Sequence, residues 1–184
     1  MGEPPIRPYP FPSPPPALRP WNPRASAAAD YVISLIVERL PGTTVEHVGS
    51  SSVPGCAGKG YLDLAIPYRD DTHRTAINEA LFALGFGRQR NRDPFPETRP
   101  MRTGAIDYEG ETFLLHVHVV PDSSPEMAEL LDFRDRLRDE PNLLIEYVAA
   151  KHKILQAGVL DGVDYAERKG TFIAALGYNG AHDA

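Results

Sequence analysis

The sequence has one cysteine, Cys56, among its 184 residues, so no internal disulfide can form. It also has no apolar run that approaches the ~18 residues of a membrane-spanning helix, and its beginning lacks the apolar core of a signal peptide. The first absence is typical of proteins from reducing compartments, and the second argues against an integral membrane protein. A cytoplasmic protein without membrane contact is expected.

Basic residues are in short supply as well. The 19 Lys and Arg residues are outnumbered by 25 Asp and Glu residues, which gives a formal net charge of -6 at pH 7. Proteins that bind nucleic acid usually carry a basic excess or a basic stripe, so nucleic acid is not an expected partner. A local basic site for a small phosphorylated ligand stays compatible with this balance. The hydrophobic share of 42% is that of an ordinary globular domain.

Proline is concentrated at the start of the chain, where ten of the 19 prolines fall within residues 1–24. Such a segment cannot form a helix interior, so an extended or disordered conformation is expected. Two interpretations stay open: a strap over the domain surface, anchored by Tyr9 and Trp21, or a ligand for a proline-recognition domain. The predicted organisation is a proline-rich extension over residues 1–24 and a single domain over residues 25–184.

Apolar periodicity predicts the order of helices and strands in the rest of the chain. The expected elements are a helix after an Asn22 cap, a strand at TTVEHVG, a strand at YLDLAIPY, a helix opened by Asp71 or Thr72, an edge strand at GFGRQR and a hairpin turned at Glu109-Gly110. After Pro121 the pattern is helical, and Ser123 with Glu126 forms a predicted capping box. The predicted fold is therefore α+β: a small mixed β-sheet with a crossover helix and a helical C-terminal half.

An aspartate stands in the middle of the strand YLDLAIPY. Because side chains alternate along a strand, Asp63 points away from the core face that Leu62 and Leu64 share. A carboxylate among apolar neighbours is costly unless it is solvated, paired or bound to a metal. Asp63 is therefore a candidate catalytic and metal-binding residue. An exposed aspartate on an open sheet face, or one paired with Lys59 or an arginine, is the alternative.

Two histidines in FLLHVHVV form a second constellation. His116 and His118 are two residues apart on a predicted strand, so both imidazoles project from one face, roughly 7 Å apart. Such a pair suits a divalent metal, a phosphate or an acid-base role, and an ordinary hydrogen-bonded pair is equally open. A metal site is favoured if the two histidines converge with Asp63. This convergence is possible if the strands YLDLAIPY and FLLHVHVV are both central in the sheet.

The loop HVGSSSVPGCAGKG is longer than a plain turn requires and is rich in glycine and serine. Its glycines allow backbone N–H groups to turn toward an anion, and the serines add hydroxyl donors. The residue after Lys59 is Gly60, so the loop is not a P-loop, and it also lacks the dinucleotide-binding fingerprint. We predict that Gly49, Ser50, Ser51 and Lys59 bind a phosphate group.

Basic side chains recur on the predicted C-terminal helices. Arg134 and Arg138 are four residues apart, as are Tyr165 and Lys169, so each pair shares a helix face. Because such groups suit phosphate contacts, we predict Arg134 and Lys169 as further phosphate ligands. A solvated helix surface with salt bridges to neighbouring acids is the alternative.

The stretch EHVGSSSVPGCAGKGYLDL resembles the GrpB-like proteins, in which a Glu-His-x-Gly-Ser segment leads through Val-Pro-Gly to a lysine and a strand that bears an aspartate. Further matches follow in order at HVHVV, FRDRLRDEP, EYVAAKHKI and YAERKGTFI, and the resemblance covers residues 25–178. It implies a nucleotidyltransferase-like fold and leaves the proline-rich start outside.

In the fold that this resemblance implies, a Gly-Ser turn binds the triphosphate of a nucleotide, and an Asp-x-Asp pair with a third acid holds two magnesium ions. Gly49 and Ser50 match the turn, and Asp63 matches the first acid, but Ala65 stands in the second position. His116 or His118 replaces the third acid. A divalent metal is the expected cofactor, with zinc, manganese or nickel suiting these donors better than a pair of magnesium ions.

Two hypotheses for the function follow. One is a metal-dependent enzyme that transfers a nucleotidyl or phosphoryl group, or a hydrolase that uses the same site. The other is a non-catalytic module that binds a nucleotide or metabolite and has lost the second metal-binding acid. The retained Asp63 and histidines favour the enzyme, whereas Ala65 favours the module.

Overall fold

Five strands form one mixed sheet in a computed structural model of the chain, which describes residues 4–9, 15–91 and 93–178. The strands are β1 (Glu46–Val48), β2 (Tyr61–Tyr68), β3 (Gly87–Arg88), β4 (Met101–Tyr108) and β5 (Glu111–Pro121). The helices are α1 (Ala25–Arg39), α2 (Asp71–Leu84), α3 (Glu126–Asp139), α4 (Pro141–Gln156) and α5 (Gly162–Ala175). The predicted α+β fold with a helical C-terminal half is confirmed. Within the described ranges, no helix combines the length and the apolar composition needed to cross a membrane.

The strand order is β1-β2-β5-β4-β3, which makes β2 and β5 neighbours inside the sheet. These two strands run parallel, and α2 lies in the crossover between them, as a parallel pair requires. Their register places Asp63 beside His116 and Ala65 beside His118. This pairing brings together the aspartate and the histidines that the sequence places on separate strands.

Strands β4 and β5 form the predicted hairpin. The turn residues Glu109 and Gly110 have positive φ angles of 48° and 79°. Two successive positive φ angles are what a two-residue turn needs to match the twist of its strands. The hairpin therefore fixes the register of β5, which carries the two histidines.

Helices cover both faces of the sheet. On one face, Leu62, Leu64 and Ile66 pack with α1 and α2 in the larger core. On the other face, Ala65 packs with apolar side chains of α3, α4 and α5. Asp63 belongs to this second face and is 8% exposed, so the alternative of an exposed aspartate on an open face is wrong.

Two predicted helix caps are wrong. Helix α1 begins at Ala25, and the Asn22 side chain accepts a hydrogen bond from the Arg24 backbone N–H before the helix starts. The predicted capping box of Ser123 and Glu126 does not form, because α3 begins at Glu126 and has no side-chain cap. Short polar side chains bond to nearby backbone in turns as readily as at caps, so their spacing alone did not fix the helix start.

The described parts of the proline-rich segment lie on the domain. Ile6 is buried, and Arg7 exchanges two backbone hydrogen bonds with Ala105 of β4. A second bridge joins Arg19 to Gly58. Residues 1–3 and 10–14 of the predicted extension, and residues 92 and 179–184 of the predicted domain, lie outside the described residues.

Candidate metal and phosphate site

Asp63, His116 and His118 converge on the second face of the sheet. One potential ligand atom from each residue lies within 4.8 Å of the other two. The Oδ1 atom of Asp63 is 3.2 Å from Nδ1 of His116 and 3.8 Å from Nε2 of His118. Imidazole nitrogen and carboxylate oxygen are donors that divalent transition metals accept. A metal site was expected only if the two histidines converge with Asp63, and the structure shows that they do.

His118 differs from His116 because, within the described residues, it has no hydrogen-bond partner. Both of its ring nitrogens are buried, and the Asp63 oxygen at 3.8 Å is beyond hydrogen-bond range. A buried polar group without a partner costs roughly 1–3 kcal/mol. A buried imidazole whose Nε2 atom lies close to a carboxylate without bonding to it fits a cation bound between the two groups.

The charge states of the cluster suit the same role. Burial alone would raise the pKa of Asp63, but the interactions with His116 and His118 outweigh burial and hold that pKa well below its usual value. Burial lowers the pKa of His116, against the opposing effect of Asp63. At neutral pH the carboxylate is therefore ionised and His116 is neutral, which are the forms that bind metals.

Gly49 lies next to the Asp63 carboxylate in the adjacent turn. It follows β1 directly and has a φ of 69°, in the region that favours glycine. A Cβ atom placed on Gly49 would meet Oδ2 of Asp63 at 2.6 Å. The predicted phosphate turn therefore leaves room for the carboxylate, and a larger residue at position 49 would push it away.

A lysine of α4 lies beneath the Ser50 hydroxyl. Lys151 is 1% exposed, and its ammonium group donates hydrogen bonds to Ser50 Oγ at 3.0 Å and to the Ala57 carbonyl. The sulfur of Cys56 lies 3.3 Å from the same nitrogen. Burial lowers the pKa of Lys151, and the interaction with Cys56 opposes that effect. This buried cation supports the floor of the loop.

The Ser51 hydroxyl is fixed by a histidine of β1. Its Oγ atom is 2.9 Å from Nε2 of His47, and its carbonyl accepts a hydrogen bond from the Trp21 indole at 3.0 Å. Burial lowers the pKa of His47 to about 4, which keeps the ring neutral at pH 7. His47 therefore orients the serine hydroxyl as a neutral hydrogen-bond partner.

Lys59 lies between two aromatic rings. Its Nζ atom is 5.0 Å from the ring centre of Tyr61 and 5.1 Å from that of Tyr165. Burial lowers the pKa of Lys59, the Asp63 carboxylate raises it, and the charge of Lys151 lowers it again. The Asp63 carboxylate is 3.2 Å from Nδ1 of His116 and also raises the pKa of Lys59, so it interacts with both groups.

These groups surround a cavity of about 1040 Å³. Its polar walls include Ser50, Ser51, Lys59, Asp63, His116 and Lys169. Its aromatic walls include Tyr9, Tyr61, Phe95, Phe113 and Tyr165. Sites for small molecules commonly measure about 300–1,000 Å³. The cavity therefore has room for a small molecule of nucleotide size, with both polar and aromatic groups in its walls.

The two basic residues predicted on the C-terminal helices take different positions. Lys169 of α5 is 6% exposed and lines the cavity. Arg134 of α3 lies behind the Gly49 turn, where it donates hydrogen bonds to the Glu46 carboxylate at 3.0 Å and to the His47 carbonyl at 3.1 Å. The structure therefore brings Lys169 to the cavity and leaves Arg134 as a support of β1.

His47 and Lys151 were not among the predicted site residues. Their roles depend on how β1 and α4 pack beneath the loop, and a lysine on a helix carries no sign of burial in its own spacing. The sequence did carry one sign of their importance: His47 lies in EHVGS and Lys151 in EYVAAKHKI, two stretches that resemble GrpB-like proteins.

Solved structures with the same architecture define the class of this domain. A conserved GrpB protein from Enterococcus faecalis has a TM-score of 0.63 at 19% identity, and the match covers 88% of this chain and 100% of that chain. The Cid1 poly(U) polymerase in its MgGTP-bound form has a TM-score of 0.50 at 18% identity, over 72% of this chain and 43% of that chain. At these identities the likeness shows the fold, which is nucleotidyltransferase-like.

The sequence match then gives the family. The profile of the GrpB protein family matches residues 15–177, and the chain belongs to that family. A UPF0157 protein from Streptomyces coelicolor is 33% identical over 132 residues, which is 72% of this chain. The match spans 66% of that relative's own length. The family and fold that EHVGSSSVPGCAGKGYLDL implied are confirmed.

The donor set does not fit the pair of magnesium ions that the fold implies. The second acid is missing, because Ala65 stands beside His118 in the sheet, and the cluster contains one carboxylate. Magnesium requires oxygen ligands in a near-octahedral arrangement. Two imidazoles and one carboxylate fit a single ion such as zinc, manganese or nickel.

Proposed function

We propose that the cavity binds a nucleotide or another phosphorylated small molecule next to a single divalent metal ion held by Asp63, His116 and His118. The observation that carries this proposal is the position of His118. Its two buried nitrogens have no partner within the described residues, and one of them is 3.8 Å from an ionised carboxylate. A cation among these three side chains would bind Nε2 of His118 and the carboxylate together.

The phosphate half of the proposal rests on the walls next to that cluster. Ser50 and Ser51 present hydroxyl groups that Lys151 and His47 orient, and Lys59 supplies an ammonium group on the same cavity. Lysine and serine donors around a concave site suit phosphate oxygens. The nucleotidyltransferase-like fold of the chain supports a nucleotide as the ligand.

The enzyme and the binding module differ in what the metal would do. A bound divalent metal supplies Lewis-acid stabilisation of a phosphoryl group, and Asp63 is the residue we assign to hold it in a transfer reaction. The loss of the second acid at Ala65 favours a module that binds without turnover. Metal-dependent conversion of a nucleoside triphosphate, followed by chromatography of the products, separates the two. Turnover that disappears in Asp63→Asn supports the enzyme, and its absence in the metal-loaded parent supports the module.

The variant His118→Leu tests the metal. Leucine fills the space of the imidazole and removes two buried nitrogens without partners, so the metal-free variant should be at least as stable as the parent, with a gain of up to about 1 kcal/mol. Zinc at about 100 times its Kd should raise the free energy of unfolding of the parent by roughly 2.7 kcal/mol and leave the variant unchanged. Thermal unfolding with zinc, manganese and magnesium in turn measures both effects.

The matched control is His116→Leu. It also removes a proposed ligand, but it breaks a hydrogen bond to Asp63, so the metal-free protein should become less stable. The two variants should therefore lose zinc stabilisation together and differ in metal-free stability. Equal stabilisation of His118→Leu and the parent by zinc would refute the metal site.

The variant Lys59→Met tests the phosphate half separately. It removes the ammonium group and keeps a long apolar side chain between Tyr61 and Tyr165. Loss of one charge-assisted contact of about 1.5–3 kcal/mol should weaken ATP binding about tenfold or more. Isothermal titration calorimetry measures this affinity. Zinc stabilisation should persist in this variant, and unchanged ATP affinity would remove Lys59 from the phosphate site.

A further inference from the structure

Tyr9 lies against the imidazole of His116, although it comes from the proline-rich segment. The two ring centres are 5.8 Å apart with an interplanar angle of 29°, and Tyr9 also contacts the Tyr61 ring at 6.1 Å. Pro8 and Tyr9 line the same cavity as Asp63 and His116. The family profile begins at residue 15, so this part of the cavity wall lies outside the family match.

The backbone that carries Tyr9 is fixed to the sheet. Ile6 is 1% exposed, and a Cβ atom on Gly104 would lie 2.4 Å from its side chain. A Cβ atom on Gly85 would lie 2.1 Å from the Ile6 carbonyl, so both glycines make room for the segment. Arg7 then pairs with β4 through its backbone. The Tyr9 ring is therefore placed by a seated backbone and not by ring stacking alone.

The later part of the segment is attached to the phosphate loop. Arg19 and Gly58 exchange backbone hydrogen bonds of 2.8 Å and 3.0 Å, directly beside Lys59. The Trp21 indole donates to the Ser51 carbonyl. Residues 4–9 and 15–21 are here called the N-terminal wall. This wall contacts both the metal cluster, through Tyr9, and the loop of Ser51 and Lys59, through Arg19 and Trp21.

We propose that the N-terminal wall determines the ligand specificity of the site. Tyr9 closes the cavity beside His116, so that a phosphorylated molecule of mononucleotide size reaches the cluster while the end of a polynucleotide does not. The cavity of about 1040 Å³ matches a small molecule, and the net charge of -6 opposes a polyanion. The identity of the ligand rests on the proposed function, whereas the shielding of His116 by Tyr9 does not.

The first experiment measures the shielding without any ligand. Diethylpyrocarbonate modifies accessible imidazoles, and peptide mass spectrometry gives the rate at each histidine of the full-length protein. His116 in Tyr9→Ala should react about two- to tenfold faster than in the parent, because the ring that stacks on the His116 imidazole is removed. Tyr9→Phe keeps the ring and should react as the parent does. The exposed His152 serves as the internal reference, with equal rates in all variants.

A second control separates the ring from the stability of the segment. Arg7→Ala removes an exposed salt bridge to Asp107 from the same backbone and leaves Tyr9 in place. It should leave the His116 rate unchanged. Equal His116 rates in the parent and in Tyr9→Ala would overturn the proposal, as would an acceleration in Arg7→Ala as large as that in Tyr9→Ala.

The second experiment measures selectivity. Calorimetry with ATP and with a short single-stranded oligonucleotide, both with zinc present, should show binding of ATP by the parent and a higher oligonucleotide affinity in Tyr9→Ala, by about tenfold. Parent protein that binds the oligonucleotide as tightly as ATP would overturn the size restriction. If the parent binds neither ligand, the proposed function fails, and the labelling rates alone decide whether Tyr9 shields His116.

Discussion

The two halves of the candidate site are held by different kinds of structure. The metal half, Asp63 with His116 and His118, stands on two adjacent strands and is positioned by their backbone register. The phosphate half stands on the loop after β1 and on α5, and side chains from other elements position it. Lys151 holds Ser50 in this way, and His47 holds Ser51.

This difference predicts where each half is vulnerable. A register is shared by many backbone hydrogen bonds, so a substitution of one metal ligand should leave its neighbours in place. The loop depends on a few specific contacts from β1, α4 and the N-terminal wall, so loss of one contact should spread to several donors. Gly49 connects the two halves, because it begins the loop and lies next to the Asp63 carboxylate.

The largest expected effect comes from Gly49→Ala, which acts on both halves at once. The new Cβ atom would meet Asp63 Oδ2 at 2.6 Å, and the φ of 69° strains any residue other than glycine. Backbone strain of this kind costs about 1–3 kcal/mol, and displacement of a metal ligand should weaken zinc binding about 10- to 100-fold. Chemical denaturation and zinc titration measure the two effects.

Gly55→Ala is the matched control for that prediction. Gly55 also has a positive φ, of 79°, but a Cβ atom placed there meets nothing within 4 Å. Its variant should lose a similar amount of stability and keep the zinc affinity of the parent. If both variants bind zinc equally well, Gly49 does not position the carboxylate.

The metal half was easier to predict from the sequence than the phosphate half, for a physical reason. The alternation of side chains along a strand placed Asp63 opposite the face of Leu62 and paired His116 with His118, and these relations hold in any sheet. The closeness of the two strands needed the family resemblance, because parallel pairing of distant segments leaves no local signal. Lys151 was not predictable, since its burial depends on how α4 packs against the loop.

The second prediction uses pH to separate the halves. The pKa of His47 is lowered to about 4 in the folded protein, so between pH 6.5 and 4 the unfolded chain binds more protons than the folded one. Stability from this group is therefore present above pH 6.5 and is lost as the pH falls, by roughly 2 kcal/mol at pH 5. Denaturation curves at pH 7 and pH 5 measure the loss.

His47→Gln isolates this contribution from that of the metal half. Glutamine does not titrate and retains a polar group near Ser51, so the variant should lose less stability than the parent between pH 7 and pH 5. The lowered pKa of His116 acts in the same direction and should remain in the variant. A pH dependence identical to that of the parent would mean that His47 is not the buried neutral histidine of the loop.

The smallest expected effect tests whether the Trp21 contact of the N-terminal wall supports only the loop and not the metal half. Trp21→Phe keeps an aromatic ring and removes the indole N–H that binds the Ser51 carbonyl at 3.0 Å. The loss of one such hydrogen bond should lower the free energy of unfolding by about 1 kcal/mol. Since the contact is made to the loop and not to β2 or β5, ATP affinity should fall while zinc affinity stays at the parental value. Calorimetric titrations measure the ATP affinity and the zinc affinity separately. An equal fall in both would show that the metal half and the phosphate half both depend on this contact.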